Sequence, residues 1–317
     1  METKHDSVLF NETIEWLDVQ PTDTVVDATL GGAGHFKALL EKLGPKGTLI
    51  GIDADEDAIA RTQKVVDEDA RAEKPSVHLV QGNFRNLESI LKEEGIEAPD
   101  KVLFDLGWSS FQLTRGRGFS FKEDEPLLMT YGNPEESETA ADIVNSSTEE
   151  EISEILFTYG EERFARGIAK AIVRERKAKK ILTTADLVEA IQKGTPAWYQ
   201  HRRLHPATKT FQALRIAVND ELGALREGLG AALSLVRPGG RIAVISFHSI
   251  EDRIVKSTFR DAAYAGVGCL GNRKPIGPSE EELAQNPRAR SAKLRVFFRE
   301  DVQPSNSSLF SNHVAYV

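Results

Sequence analysis

The sequence predicts an α/β protein in which a mainly parallel, doubly wound sheet is split by a helical insertion. Three observations predict it. Four short β-rich runs alternate with amphipathic stretches in the first third of the chain, as a βαβ series does. The alternation then stops for roughly one hundred residues of mainly helical character, a length that suits a subdomain better than a loop. Strand character returns near the C-terminus, so segments on both sides of the insertion are expected to join one sheet.

The strands are TVVDAT (24–29), GTLIGID (47–53), SVHLVQGN (76–83) and KVLFDLG (101–107), followed after the insertion by RIAVISFHS (241–249) and KLRVFFRE (293–300). Their nearly continuous apolar character suits strands covered on both faces. Helical spacing occupies 34–43, 57–72 and 87–94, and the acids of GIDADEDAIA fall where a helix start favours negative charge. Inside the insertion, Ser147 with Glu150 predicts a capping box, and the stripe from Ile152 to Ile172 predicts a helix that Gly160 interrupts. Thr183 with Asp186 predicts the next helix start. TFQALRIAVNDEL continues into a further helical stretch that ends at RPGGR. The division that follows is 1–113 for the first part of the core, 114–206 for the insertion and 207–317 for the second part. No internal repeat is visible, and the Ser/Asn-rich tail from Ser305 is expected to be loosely ordered.

Bulk properties exclude several function classes. The 317 residues are 40% hydrophobic and 28% charged, ordinary for a soluble globular protein. No apolar run approaches the ~20 residues that cross a bilayer. A single cysteine, Cys269, rules out an intrachain disulfide, and the N-terminus lacks a basic-then-apolar signal pattern. A reducing cytoplasm is the expected location. The net charge of -9 argues weakly against a nucleic-acid partner, yet it hides an asymmetry. Residues 122–162 hold 13 Asp or Glu against one Lys, whereas 163–209 hold 12 Lys or Arg against 3 acids. An acidic protein can thus carry a basic face.

Chemistry concentrates at the strand ends. DATLGGAGH (27–35) runs an acid into glycines, which permit a tight turn and close ligand approach before a helix start that favours an anionic group. Asp53, at the end of the second strand, stands where a carboxylate accepts hydrogen bonds from ribose hydroxyls. Together they predict a nucleoside-bearing cofactor. A nicotinamide dinucleotide is disfavoured because Phe36 stands where the third glycine of its fingerprint belongs, and no tyrosine has Lys four residues on. GNF (82–84) and DLG (105–107) suit S-adenosylmethionine, offering an aromatic face and a carboxylate to an adenine edge.

With HDSVL (5–9), DLGWSSFQL (105–113), RGFSF (117–121), YGEERFARGIAKAIV, HPATKTFQALRIAVNDEL (205–222), PGGRIAVISFHSIEDRIVK and NPRARSAKLR, these motifs resemble the bacterial family of small-subunit ribosomal RNA cytosine-N4 methyltransferases, RsmH or MraW. The resemblance runs through almost the whole chain in order. It implies a Rossmann-like methyltransferase core with an inserted helical domain, S-adenosyl-L-methionine as methyl donor, and a cytidine in the decoding region of 16S ribosomal RNA as acceptor. It places cofactor contacts on Gly32, Ala33, Gly34, His35, Asp53, Phe84, Asp105 and Gln112. Three departures stand out: Ala33 replaces a common glycine, Trp108 a usual valine, and PLLMTY (126–131) lacks the Asp and Arg of the usual PLDMRM, having Leu128 and Thr130 there.

An exocyclic amine attacks a sulfonium methyl only weakly because its lone pair is delocalised, so orienting groups matter. Asp105, the carbonyls after it and Ser109 or Ser110 are the candidates, with no catalytic side chain assigned. Cytosine C5 chemistry needs a cysteine nucleophile, and Cys269 lies away from the strand ends. His248 in ISFHS suits a structural hydrogen bond and a substrate contact equally. His201 and His205 lack the further donors of a metal site, and no metal is expected. RERKAKK (174–180), HRRLH and NPRAR together predict RNA phosphate contacts. The oligomeric state, monomer or homodimer, stays open. The competing readings are a catalytically silent ribosomal RNA assembly factor, prompted by PLLMTY, and an oxidoreductase.

Overall fold

The computed structural model describes residues 7–106 and 116–300. Seven strands form its central sheet: β1 (Thr24–Asp27), β2 (Thr48–Asp53), β3 (Ser76–Gln81), β4 (Lys101–Asp105), β5 (Arg241–Ser246), β6 (Gly268–Leu270) and β7 (Lys293–Arg299). Their order is β3-β2-β1-β4-β5-β7-β6. The first five run parallel, while β7 pairs antiparallel with both β5 and β6.

Adjacent residues of each strand point to opposite faces, and here both faces are covered. Val26, Ile50, Phe104, Ile242 and Val244 join one core cluster with α4 (Leu87–Glu93), α11 (Glu221–Leu235) and α12 (Ser249–Tyr264). Val25, Leu49, Leu103, Ala243 and Ile245 join the other with α1 (Phe10–Leu17), α2 (Gly34–Lys42) and α3 (Glu56–Asp67). Fully burying one such side chain contributes about 1.5–3 kcal/mol, so the apolar runs alone specify a sheet sandwiched between helices. The chain moves outward from β1 to β3 and returns beside β1 as β4. That reversal is a topological switch point, where open α/β sheets bind ligands.

A third cluster lies in the insertion. It packs α5 (Ala140–Ser146), α6 (Glu149–Gly160), α7 (Ala165–Glu175) and α8 (Thr184–Lys193) around Ile143, Leu156, Ile168 and Leu187. A short α9 (Ala197–Gln200) follows. Ala207, Phe211, Ala213 and Leu214 of α10 (Ala207–Asn219) complete this cluster, while Ile216 joins the sheet's core, so the first helix of 207–317 bridges the insertion and the sheet.

Several local expectations hold. Thr183 and Asp186 form the expected capping box, and Gly160 ends α6, with Glu161 in the left-handed region. Others shift. The capping box of α6 uses Thr148 and Glu151, one residue beyond Ser147 and Glu150, because Ser147 instead closes α5. The long helical stretch after 207 breaks at Asp220, whose φ is 45°. β6 was not anticipated, since three residues set between glycines make no apolar run. The face covered by α1 is completed by α13 (Glu280–Gln285) and a 3₁₀ turn, Pro287–Ser291, which add Leu283 and Ala289 to that cluster and lead into β7.

Candidate active site

The carboxyl ends of β1 to β4 open onto one cleft. Its first wall comprises Ala28, Thr29 and Gly31 after β1, Asp53 and Ala54 after β2, Gly82 to Phe84 after β3, and Asp105 with Leu106 after β4. Its second wall is Tyr131 from the insertion with Asn219, Glu221, Ala224, Leu225 and Glu251.

The glycine turn is built for close approach. Gly31 has φ 49°, a conformation that costs it little. Ala33 has φ 63° and stays there at a strain of roughly 1–2 kcal/mol, its methyl buried and its N–H donating to the Leu30 carbonyl at 2.7 Å. A side chain at Gly34 would run into Ser7. Arg61 braces the turn by donating to the Gly31 carbonyl at 3.1 Å.

Asp53 ties this turn to the next. Its Oδ2 accepts from the Gly31 N–H and its Oδ1 from the Asp55 N–H, both at 2.9 Å. Burial pushes its carboxyl above the usual range, and those N–H groups partly offset it. Each oxygen retains acceptor capacity, and Asp53 lines the cleft, which suits paired hydroxyl donors.

Beneath the cleft lies an acidic cluster around His35. Asp27 is fully buried, and desolvation pushes its carboxyl up to about 7 against the opposing influence of His35 and the Thr29 N–H. His35 Nδ1 lies 3.3 Å from Asp105 Oδ2, and its ring stacks on Phe10. Burial alone would lower the imidazole's pKa, but the hydrogen bond and charge of Asp105, with the charge of Asp27, raise it. The Asp105 N–H donates to Thr29 Oγ1 at 2.6 Å. Among the described residues, Asp105 Oδ1 and Asp27 Oδ2 have no hydrogen-bond partner. Buried acceptors left open beside a cleft favour a cationic or donor-rich ligand.

Phe84 stands edge-on to Phe104 at 5.5 Å. Gly228 of α11 gives it room, since a Cβ there would come within 2.8 Å of the ring. Asn83 caps its turn through the Arg85 N–H at 3.0 Å.

The second wall answers what PLLMTY does without a charged pair. Asn219 clamps the segment: its Oδ1 accepts from the Tyr131 N–H at 2.9 Å and its Nδ2 donates to the Met129 carbonyl at 2.7 Å. Arg117 donates to the carbonyls of Thr130 and Tyr131. The Tyr131 hydroxyl donates to Glu221 Oε1 at 2.9 Å, and buried Arg215 grips both Glu221 oxygens at 2.7 and 2.8 Å. Burial, with Glu221 beside it, holds the phenol protonated well above its usual range. Backbone clamping thus holds the segment without a charged side-chain pair of its own.

Of the expected cofactor residues, Asp53, Phe84 and Asp105 meet in the cleft, and Gly31 joins them. Gly32, Ala33, Gly34 and His35 do not line it; they shape the turn and hold Asp105 from behind. Gln112, Trp108, Ser109 and Ser110 lie outside the described residues. Tyr131, Asn219, Glu221 and Glu251 were missed, although NDEL at the end of the first helix after the insertion and the H-x-x-E spacing of His248 and Glu251 were visible signals.

His248 has a structural role. It caps α12, its Nδ1 accepting from the Glu251 N–H at 3.3 Å. Glu221, His248 and Glu251 bring ligand atoms within 4.8 Å of one another. Arg215 and Tyr131 already occupy the Glu221 oxygens, and two backbone N–H groups occupy Glu251 Oε2, so the group is short of free donors for a cation. His205 stacks on Phe121 at 4.5 Å, and His201 follows α9 on the surface. Cys269 sits on β6, its thiol pushed up to about 11 by burial and by Glu300, which ill suits a nucleophile.

The basic run 174–180 is mixed in purpose. Arg176 donates to the carbonyls of Val144 and Ser147 at the end of α5, while Lys179 pairs with Asp186 at 2.7 Å. Lys177 and Lys180 are more exposed. No described helix is long and apolar enough to cross a membrane.

Comparison with known proteins places these features in context. A family model described as the MraW methylase family matches residues 2–300. Ribosomal RNA small subunit methyltransferase H of Brevibacillus brevis is 46% identical over 309 residues, covering 92% of this chain and 96% of that protein. The protein of the same name from Deinococcus deserti is 46% identical over 303 residues, covering 95% of each. Among solved structures, an rRNA methylase from Streptococcus thermophilus aligns over 95% of this chain and 99% of its own at 12% identity, with a TM-score of 0.40, too slight an overlap to argue from.

Proposed function

Because the chain belongs to the MraW methylase family, and is thereby an S-adenosylmethionine-dependent methyltransferase, we propose that it methylates the exocyclic N4 amine of a cytidine in 16S ribosomal RNA of the small subunit. The observation that carries the reading is one cleft with two chemically different walls. One wall suits a charged nucleoside and the other sets Tyr131, Asn219, Glu221 and Glu251 beside apolar Ala224 and Leu225 and is supplied partly by the insertion.

The residues present fit the cofactor. Asp53 would accept from its ribose hydroxyls, Ala54, Asn83 and Phe84 would flank its adenine, and the open acceptor of Asp105 favours its positive charge. His35 acts through Asp105, fixing that carboxylate's orientation. Gln112 is retained as a contact on the resemblance alone. When bound, S-adenosylmethionine supplies an electrophilic methyl on a sulfonium.

The chain's own residues then orient the acceptor. Asp105 and the main chain after it would receive the amine's hydrogens, with Ser109 and Ser110 as neighbouring candidates. Tyr131 and Glu251, which line the same cleft, would face the base. Glu221, bound on both oxygens, is a brace for Tyr131 rather than a base. Proton loss goes largely to solvent after transfer. The insertion, 114–206, holds the unstacked strand, and unstacking costs on the order of a few kcal/mol, least where the RNA is already single-stranded.

The test uses small subunits lacking the mark, labelled methyl donor and mass spectrometry of the nucleosides. N4-methylcytidine is the expected product. A different methylated nucleoside, or none with cofactor bound, overturns the proposal.

A further inference from the structure

We propose that Trp198, with Arg163 laid against it, is a stacking platform for an unpaired nucleobase of the RNA substrate, outside the cleft; this rests on the RNA reading above. Trp198 is 52% exposed, whereas Tyr199 beside it is 4% exposed. Its ring is set on a fixed base: Phe164 meets it edge-on at 5.7 Å and Tyr199 at 5.8 Å. Glu162 locks that base, accepting from the Tyr199 hydroxyl at 2.7 Å and from the Phe164 N–H at 2.8 Å. A tryptophan that merely completed a core would be covered. This one keeps a large part of its surface in water.

The surroundings specify the occupant. The Arg163 guanidinium lies 5.3 Å from the Trp198 ring centre, and Arg202 lies 5.3 Å from that of Tyr199. Arg203 is exposed in the same segment. Aromatic faces interleaved with guanidinium groups suit bases joined by phosphates, since the rings stack and the cations meet the backbone. The platform is also connected to the cleft. Glu161, next to Glu162, accepts from Ser249 Oγ and from Arg253, both at 2.7 Å, and Ser249 opens the helix whose Glu251 lines the cleft. A nucleotide flanking the target would rest on Trp198 while the target cytidine occupies the cleft.

Full-length wild type, Trp198→Ala, Trp198→Phe and Arg163→Gln decide the matter. Two readouts are needed: kcat and KM for methyl transfer to small subunits lacking the mark, and quenching of a single-stranded oligoribonucleotide carrying one 2-aminopurine. Trp198→Ala is expected to raise KM and weaken oligonucleotide binding by roughly 5- to 100-fold and to abolish the quenching, with kcat and cofactor affinity little changed. Trp198→Phe should restore most of the loss, and Arg163→Gln should weaken binding with a smaller change in quenching. Wild-type KM and quenching in Trp198→Ala overturn the platform. So does a loss confined to assembled subunits with oligonucleotide binding intact, which would assign Trp198 to a ribosomal protein. If wild type binds and quenches the oligonucleotide through Trp198 yet transfers no methyl to RNA, the platform stands and the acceptor assignment fails.

Discussion

Asp27, His35 and Asp105 show how a few side chains under the cleft set its charge. Between pH about 4 and about 7 the folded chain holds a proton on Asp27 that the unfolded chain has released, so this group stabilises the fold in acid and the contribution fades as pH rises through about 7. His35, also raised, shifts stability in the same direction at higher pH. Asp27→Asn should therefore flatten the decline: unfolding free energies measured without cofactor across that range should fall less steeply in the variant than in wild type. An unchanged difference between the two proteins at every pH would contradict the assignment. Asp53 makes a different demand. Loss of charge-assisted hydrogen bonds costs about 1.5–3 kcal/mol, so Asp53→Ala should weaken S-adenosylmethionine binding by roughly 10- to 100-fold in calorimetric titration. Its position was legible because a strand end followed by an acid is a local pattern. That Asp27 is the group shut away from water was not legible, since burial depends on the strands and helices around it.

Among the elements, the 126–131 segment and the end of α5 carry the most consequence. Asn219 satisfies backbone groups on both sides of Thr130, next to Met129, whose own φ is 56°. Asn219→Ala leaves an N–H and a carbonyl short of partners, and should cost roughly 2 kcal/mol in chemical denaturation and slow methyl transfer by releasing Tyr131. Full activity in that variant would remove Tyr131 from the acceptor wall. Arg176 is similarly committed, for it closes α5 through two carbonyls. Arg176→Ala should lower stability by about 1.5–3 kcal/mol, whereas Lys177→Ala and Lys180→Ala should stay within about 0.5 kcal/mol. Sequence spacing presented 174–180 as one basic run. Only the packing separates the residue that caps a helix from those free to meet phosphate. The same holds for the clamp, because Asn219 and Tyr131 are 88 positions apart and their meeting depends on how the insertion docks.

For the whole molecule, the parallel sheet and the insertion were readable from hydrophobic runs and their interruption. The strand-end wall of the cleft was readable too, because consecutive strand ends in a doubly wound sheet converge. The facing wall was not, being assembled from the insertion, the end of α10, α11 and α12. This division has a consequence for how the protein is made. Lys101 of β4 pairs with Arg241 of β5, so the whole insertion must emerge from the ribosome before the central strands can join. Until then β4 presents an unpaired apolar edge, and closing so distant a contact is slow. Nascent chains stalled just short of Arg241 should remain open to brief proteolysis across β4, and those stalled well beyond Arg299 should resist it. Protection already present in the shorter chains would mean that some other segment shields β4 during synthesis, whereas its absence would make this enzyme a natural client of the chaperones that wait at the exit tunnel.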